Sequence, residues 1–139
     1  MKKISVLLFS VCIAGLFSSC SKKDDIPVND TSLAGTWRWT NTDGGIAAHI
    51  HDTPASTGKE VNLVLSNNNQ YAFYTNGVLS SSGTFTILDR QCPHTGSSKQ
   101  YIDFSDPADT DMTIETVVTS TLFLSDDFMD GTTSRFIRL

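Results

Sequence analysis

The 139-residue sequence predicts an all-β domain of eight, at most nine, short antiparallel strands, packed as a barrel or as two stacked sheets. Three observations carry this. Short runs of alternating apolar and polar residues recur between turn signals. The chain is rich in Thr, Ser, Val, Ile and aromatics, with no long apolar stripe of helical period. Asn76-Gly77 is the strongest hairpin signal, because both central residues of a type I′ turn need positive φ.

The elements follow in order. Thr36–Thr40 alternates, with Trp37 and Trp39 on one face. Thr42–Gly45 reads as a turn, Ile46–His51 as a second strand, and Asp52–Gly58, with Pro54, as a loop. Val61, Leu63 and Leu65 form a period-two set, with Asn62 opposite. Asn67–Asn69 is a turn, and Tyr71–Thr75 runs into the Asn76-Gly77 hairpin. Val78–Ser82 and Gly83–Ile87 form one long strand in which Gly83 marks a bulge or bend. Leu88–Lys99 reads as a loop. Tyr101–Phe104, Met112–Val117, Thr121–Leu124 and Thr133–Leu139 are strands, with Asp106-Pro107 and Asp126–Gly131 between them. The predicted inward set is Trp39, Leu63, Leu65, Phe73, Phe85, Ile87, Phe104, Leu122 and Leu124.

The N-terminus reads as an address. Lys2 and Lys3 precede an apolar run, Ile4–Phe17, that has the length of a signal-peptide core and falls short of the about 20 residues a bilayer span needs. Leu16-Phe17-Ser18-Ser19-Cys20 resembles a bacterial lipobox, which implies cleavage after residue 19 and acylation of Cys20 by chains of the palmitate kind. Two or three such chains hold a protein firmly, at about 0.8 kcal/mol per buried methylene. Ser21-Lys22-Lys23-Asp24-Asp25 resembles the signal that sends lipoproteins to the outer face of the outer membrane in one large group of Gram-negative bacteria. The expected organisation is a signal peptide over 1–19, a lipidated cysteine and tether over 20–31, and the β domain over 32–139.

Composition excludes other classes. The formal charge is −5 and becomes −7 once Lys2 and Lys3 leave with the signal. Nucleic acid and anionic lipid headgroups both require basic patches, so neither is an expected partner. The membrane contact expected is the anchor on Cys20 alone. Cys12 lies in the signal and Cys20 takes the lipid, so Cys92 has no partner for an intramolecular disulfide, and the domain must be held by its core.

Two features bring in a resemblance. Leu33-Ala34-Gly35-Thr36-Trp37 opens the domain with Gly-x-Trp, and Ser134-Arg135-Phe136-Ile137-Arg138 closes it with arginines. With Tyr71–Gly77, Gly83–Ile87 and Leu122–Ser125 followed by Asp130-Gly131, these stretches resemble the lipocalin-like domain family of bacterial lipoproteins, within the lipocalin (calycin) superfamily. The resemblance implies an eight-stranded up-and-down barrel, with Trp37 at the closed end and a late arginine packed across it. Arg138 is the first choice for that partner and Arg135 the second. Ligand contacts would come from Trp39, Leu63, Phe73 and Phe85, with Tyr71, Tyr74 and Asn62 offering hydrogen bonds.

Other chemistry is thinner. His49 and His51 would share one face of a strand, and Asp52, Cys92 and His94 could complete a zinc set. Asp126, Asp127 and Asp130 crowd one turn, and Asp106, Asp109 and Asp111 another, without EF-hand spacing. There is no Gly-x-Ser-x-Gly elbow, phosphate loop or HExxH. The expectation is a monomeric, non-catalytic surface lipoprotein without cofactor, binding a small partly apolar ligand in the barrel or serving as a scaffold. The alternative is a glycan- or protein-binding accessory module, using Trp39 and Tyr71–Tyr74 to stack on sugars.

Overall fold

The computed structural model describes residues 32–139; the signal peptide expected over 1–19 and the Cys20 tether expected over 20–31 lie outside the described residues. The strands are β1 (Gly35–Gly44), β2 (Ile50–Asp52), β3 (Val61–Leu65), β4 (Gln70–Thr75), β5 (Val78–Gln91), β6 (Ser98–Phe104), β7 (Met112–Val118), β8 (Thr121–Ser125) and β9 (Thr132–Arg138). Each pairs antiparallel with its neighbour in space, and β9 returns to β1. Eight strands therefore close an up-and-down barrel, and β2 pairs only with the far end of β1, at Thr42–Gly44. Closure excludes the two-sheet sandwich, which would leave four open edges.

The core is the inward face of those eight strands. Trp37, Leu63, Ile102 and Leu122 have no exposed surface. Around them pack Trp39, Leu65, Tyr71, Phe85, Phe104, Leu124 and Phe136. Burying a side chain of this size stabilises by roughly 1.5–3 kcal/mol relative to leaving it exposed. The cluster lies wholly within residues 37–136, and every barrel strand has a neighbour on both sides. The barrel therefore closes among the described residues.

One end is plugged. The Arg138 guanidinium lies 4.3 Å from the Trp37 ring centroid. Its Nη1 donates to Ala34 O at 2.7 Å, Nη2 to Ser32 O at 2.5 Å and Nε to Thr119 O at 3.0 Å. Trp37 Nε1 donates to Leu33 O at 2.8 Å. A planar fork suits this position because one group stacks on an indole and satisfies three carbonyls together. Gly35 is required beside it, since a Cβ there would stand 2.8 Å from Arg138 Nη1 and φ is +154°. Arg135 lies elsewhere, its guanidinium 6.0 Å from the Phe123 ring centroid.

The Asn76-Gly77 turn has φ of 52° and 77°, as the hairpin reading requires. Several local expectations are corrected. Thr42–Gly44 is not a turn but the far end of β1, paired with both β9 and β2. Ile46–His51 is not one strand: Ile46–Ala48 is a 3-10 turn with Ala47 and Ala48 at positive φ, which leaves β2 only Ile50–Asp52. The loop after it holds a one-turn helix, α1 (Pro54–Thr57), capped by reciprocal Thr53–Ser56 bonds. The supposed loop Leu88–Lys99 is half strand, and only residues 92–97 connect β5 to β6. Ile87 and Leu88 are both exposed, although successive strand residues face opposite ways. Their ladder partners Ile102 and Tyr101 are buried, so the β6 side of this hairpin is covered while the β5 side is not, and Ile87 falls outside the core. Gly83 marks no bulge; the register shift falls between Phe73 and Tyr74, and a Cβ on Gly83 would stand 3.1 Å from the Tyr71 ring that packs over it.

Replacing Arg138 with Ala removes the stacking and strips three carbonyls of their donor. The expected loss is about 2–4 kcal/mol, read from urea unfolding, and Arg138→Lys restores less than half because one ammonium cannot serve the same fork. A loss below about 0.5 kcal/mol would show that the plug contributes nothing to closure.

Candidate functional site

Eight strands make a barrel just wide enough for side chains to fill or for one small ligand to enter. Here the lower part is filled and the upper part is not. Above Trp39 and Phe136 the interior opens into a cleft of about 280 Å³ lined by Trp39, Val61, Phe73, Met112, Thr42 and Ser134. Asp52, Thr57 and Lys59, from β2 and the segment around α1, form its rim. Hollows of about 520 and 320 Å³ lie against α1, lined by Gly58, Glu60 and Asn76 in one case and by Arg38, Thr40 and Glu60 in the other. The second of these also touches Trp39, whereas the mouth cleft has Trp39, Phe73 and Phe136 together as its floor.

The polar side of that floor is one connected pair. Trp39 Nε1 donates to Thr42 Oγ1 at 2.9 Å, and Thr42 Oγ1 lies 2.7 Å from Ser134 Oγ. Alternation from Trp37 and Trp39 would put Asn41 inside, not Thr42. A register shift between Trp39 and Asn41 reverses the parity and brings Thr42 in. An apolar floor with two hydroxyls at one side suits a small, partly apolar molecule that needs one oriented hydrogen bond.

Part of the barrel wall is loop. β6 ends at Phe104, while the first half of β5 pairs only with β4. Residues 105–111 run past that gap, pinned by Asp109, which accepts from Tyr71 Oη at 2.6 Å and Ser81 Oγ at 3.0 Å. Burial, then the bond to Asp109, pushes the Tyr71 hydroxyl up to about 12. Tyr71 also packs on Phe104, with ring centroids 4.6 Å apart.

Of the predicted contact residues, Trp39, Leu63, Tyr71, Phe73 and Phe85 do face inward, but only Trp39 and Phe73 reach the cleft. Asn62 and Tyr74 are corrected: they pair directly across β3 and β4, on the face opposite Leu63 and Phe73, and so lie outside the barrel. Asn62 Oδ1 is enclosed there with no hydrogen-bond partner. Among the aromatics offered for sugar stacking, Trp39 and Tyr71 are buried and only Tyr74 lies on the outer face. Thr42, Val61, Met112, Ser134 and Phe136 line the cleft without having been anticipated.

The histidine pair is also corrected. His49 caps the 3-10 turn, with Nδ1 against Ile46 O, while His51 sits on β2 with Nδ1 2.9 Å from Asp43 Oδ1. No group of three or more His, Cys, Asp or Glu gathers in metal-binding geometry among the described residues. Cys92 instead donates to Asp127 Oδ1 at 3.1 Å, and Tyr101 Oη donates to Asp127 Oδ2 at 2.5 Å. This joins the β5–β6 hairpin to the β8–β9 connection. Asp126 accepts from Thr132 N and Oγ1, Asp106 from Ala108 N, and Asp111 from Arg90.

Comparisons with protein-family models, with curated proteins and with solved structures give no match to this chain.

The bonds from Tyr101 and Cys92 hold the Asp127 carboxyl below its usual range, and the bond to Asp127, then burial, holds the Tyr101 hydroxyl well above its own. Lys99 lowers Glu115, and His51 lowers Asp43, each first through a hydrogen bond. A carboxyl whose folded pKa is depressed stabilises fully above its unfolded value and loses that contribution as pH falls through the folded one. Stability in urea is therefore expected to drop below about pH 4, and Asp127→Asn to make that drop shallower. An equally steep acid limb in the variant would place the acid lability elsewhere.

Proposed function

We propose that this chain is a non-catalytic surface lipoprotein whose lipocalin-like barrel binds a small, partly apolar ligand at its open end. The observation that supports this best is the mouth cleft itself: an aromatic floor of Trp39, Phe73 and Phe136, with the Thr42–Ser134 hydroxyl pair at one side. Its volume, about 280 Å³, falls just below the ~300–1,000 Å³ of pockets that hold drug-sized molecules. A ligand there is correspondingly small. The Gly-x-Trp opening, the closing Arg138 and the up-and-down order support kinship with the lipocalin-like family. The lipobox-like run ending at Cys20, followed by Lys22-Lys23-Asp24-Asp25, supports anchorage on the outer face of the outer membrane, with the protein acting as a monomer.

A second reading draws on the loop tips at the open end. Ile46, Val78, Phe128 and Met129 are all strongly exposed there. They favour an accessory module that docks on a partner at the cell surface.

Two measurements test the reading. Native mass spectrometry of Ser21–Leu139, secreted by its own host, is expected to show an added organic mass that leaves on denaturation. The bare polypeptide mass would favour the docking reading. Cys20→Ser is expected to shift the full chain from the membrane fraction to the soluble one, and unchanged partitioning would overturn the lipid anchor.

A further inference from the structure

The two ends of the barrel differ sharply in charge. The open-end connections are the β1–β2 and β2–β3 segments, the Asn76-Gly77 turn, residues 105–111 and residues 126–131. The β8–β9 connection carries Asp126, Asp127 and Asp130, and the β6–β7 connection carries Asp106, Asp109 and Asp111. Asp43, Asp52 and Glu60 add to the same end, where Lys59 is the one Lys or Arg on those connections and Arg90 reaches across from β5 to pair with Asp111. The connections at the plugged end, residues 66–69 and 119–120, contain no Asp or Glu, and neither do residues 92–97, which meet the β8–β9 connection through Cys92 and Asp127. Several open-end carboxylates are already engaged: Asp109 by Tyr71 and Ser81, Asp111 by Arg90, Asp127 by Tyr101 and Cys92. Arg90 offsets the charge of Asp111, but the neutral hydroxyls and thiol leave the charge of Asp109 and Asp127 in place, so carboxylates stay in surplus and the field at the mouth stays negative.

Asp52 matters most because it lines the cleft. Its carboxylate makes no hydrogen bond or ion pair with another described residue, and it stands at the rim above the Trp39–Phe73–Phe136 floor. Beside the mouth, the β1–β2 and β8–β9 loops touch, Gly45 N donating to Gly131 O at 3.1 Å, and they hold Ile46, Phe128 and Met129 out to solvent. The open end is thus apolar at its tips, apolar at the floor of its cleft, and acidic in between.

Resting on the reading of the cleft as a binding site, we propose that its ligand is a cationic amphiphile. An amine or quaternary ammonium head would sit at the Asp52 rim, and an apolar body would lie on Trp39 and Phe73. The field raises the local concentration of cations and repels anions, so a fatty carboxylate or alkyl sulfate is disfavoured at a mouth whose connections set Lys59 alone against a surplus of carboxylates. The carboxylates supply selection and on-rate, and the aromatic floor supplies most of the affinity.

The test titrates Ser21–Leu139 with octyltrimethylammonium, octyl glucoside and octyl sulfate, each below its micellar concentration. Binding is followed by calorimetry and by tryptophan emission, to which Trp39 contributes. The ammonium is expected to bind at least about tenfold more tightly than the sulfate at low salt, with the glucoside between them and the gap narrowing in about 0.5 M sodium chloride. Asp52→Asn is expected to weaken the ammonium about fivefold while leaving the glucoside unchanged, and Lys59→Gln to tighten it. Sulfate binding as tightly as ammonium, or a preference that neither salt nor Asp52→Asn alters, would overturn the proposal while leaving the cleft as a binding site. Failure of all three probes to bind would remove the cleft reading and this proposal with it.

Discussion

One strand holds three others. β1 pairs with β9 along its length, with β3 through Gly35–Arg38 and with β2 through Thr42–Gly44. Closure of the barrel is the β1–β9 ladder, and without it β1 and β9 would each present an open edge. Antiparallel strands that close on themselves leave no edge to template aggregation. They also turn the inward residues of all eight strands into one core rather than two facing layers. The register shift between Trp39 and Asn41 sits in the middle of this strand. Below it, β1 supplies two tryptophans to a filled interior; above it, β1 supplies Thr42 to a cleft.

That division explains why the two ends behave differently. At the closed end, the Arg138 guanidinium stacks on Trp37 beside Gly35 and donates to the carbonyls of Ser32, Ala34 and Thr119, which closes the interior there. At the open end the chain adds β2, α1 and long connections, and these raise a rim without filling the space beneath it. Filling that space would take one or two more large side chains at Thr42 or Ser134. Hydroxyl residues stand there instead, paired with each other and with Trp39. A buried hydroxyl pair contributes little net stability compared with an aliphatic pair of the same size. These positions therefore make better sense as recognition groups than as core.

The sequence made the barrel legible wherever alternation ran unbroken. Leu63 and Leu65, Leu122 and Leu124, and Phe85 and Phe104 show their inward face directly, and Asn76-Gly77 sets a hairpin that no other element needs to specify. Legibility ended where geometry is not periodic. A one-residue register shift carries no compositional mark, so Thr42 read as a turn residue and its place in the cleft was hidden. Ala47 and Ala48 take positive φ, which alanine seldom adopts, so the break before β2 looked like strand. Asn62 and Tyr74 were read as polar contributions to the interior, although the alternation that put Leu63 and Phe73 inside already required them to face out. The pairing of Asp127 with Tyr101 and Cys92 joins segments 26 and 35 residues apart, and no local pattern encodes such a contact.

The place where the chain enters the barrel bears on function. Ser32 lies beside Arg138, so whatever precedes it joins the domain at the plugged end. With lipid on Cys20, the 11 residues from Ser21 to Thr31 span at most about 40 Å when fully extended. The plugged end would therefore be the one nearest the membrane, and the acidic mouth would point away from it. Such an orientation removes a competition that an apolar mouth at the bilayer would face, since Phe128, Met129 and Ile46 would otherwise find lipid as readily as ligand. It also gives the carboxylates a role the core cannot have. Facing the surroundings, they would act over a Debye length of about 10 Å at about 0.1 M salt, past the cleft and into the solution from which the proposed ligand would arrive. A filled, charge-plugged base and an open, acidic, apolar-tipped mouth thus follow from where one strand changes register and where the chain comes in.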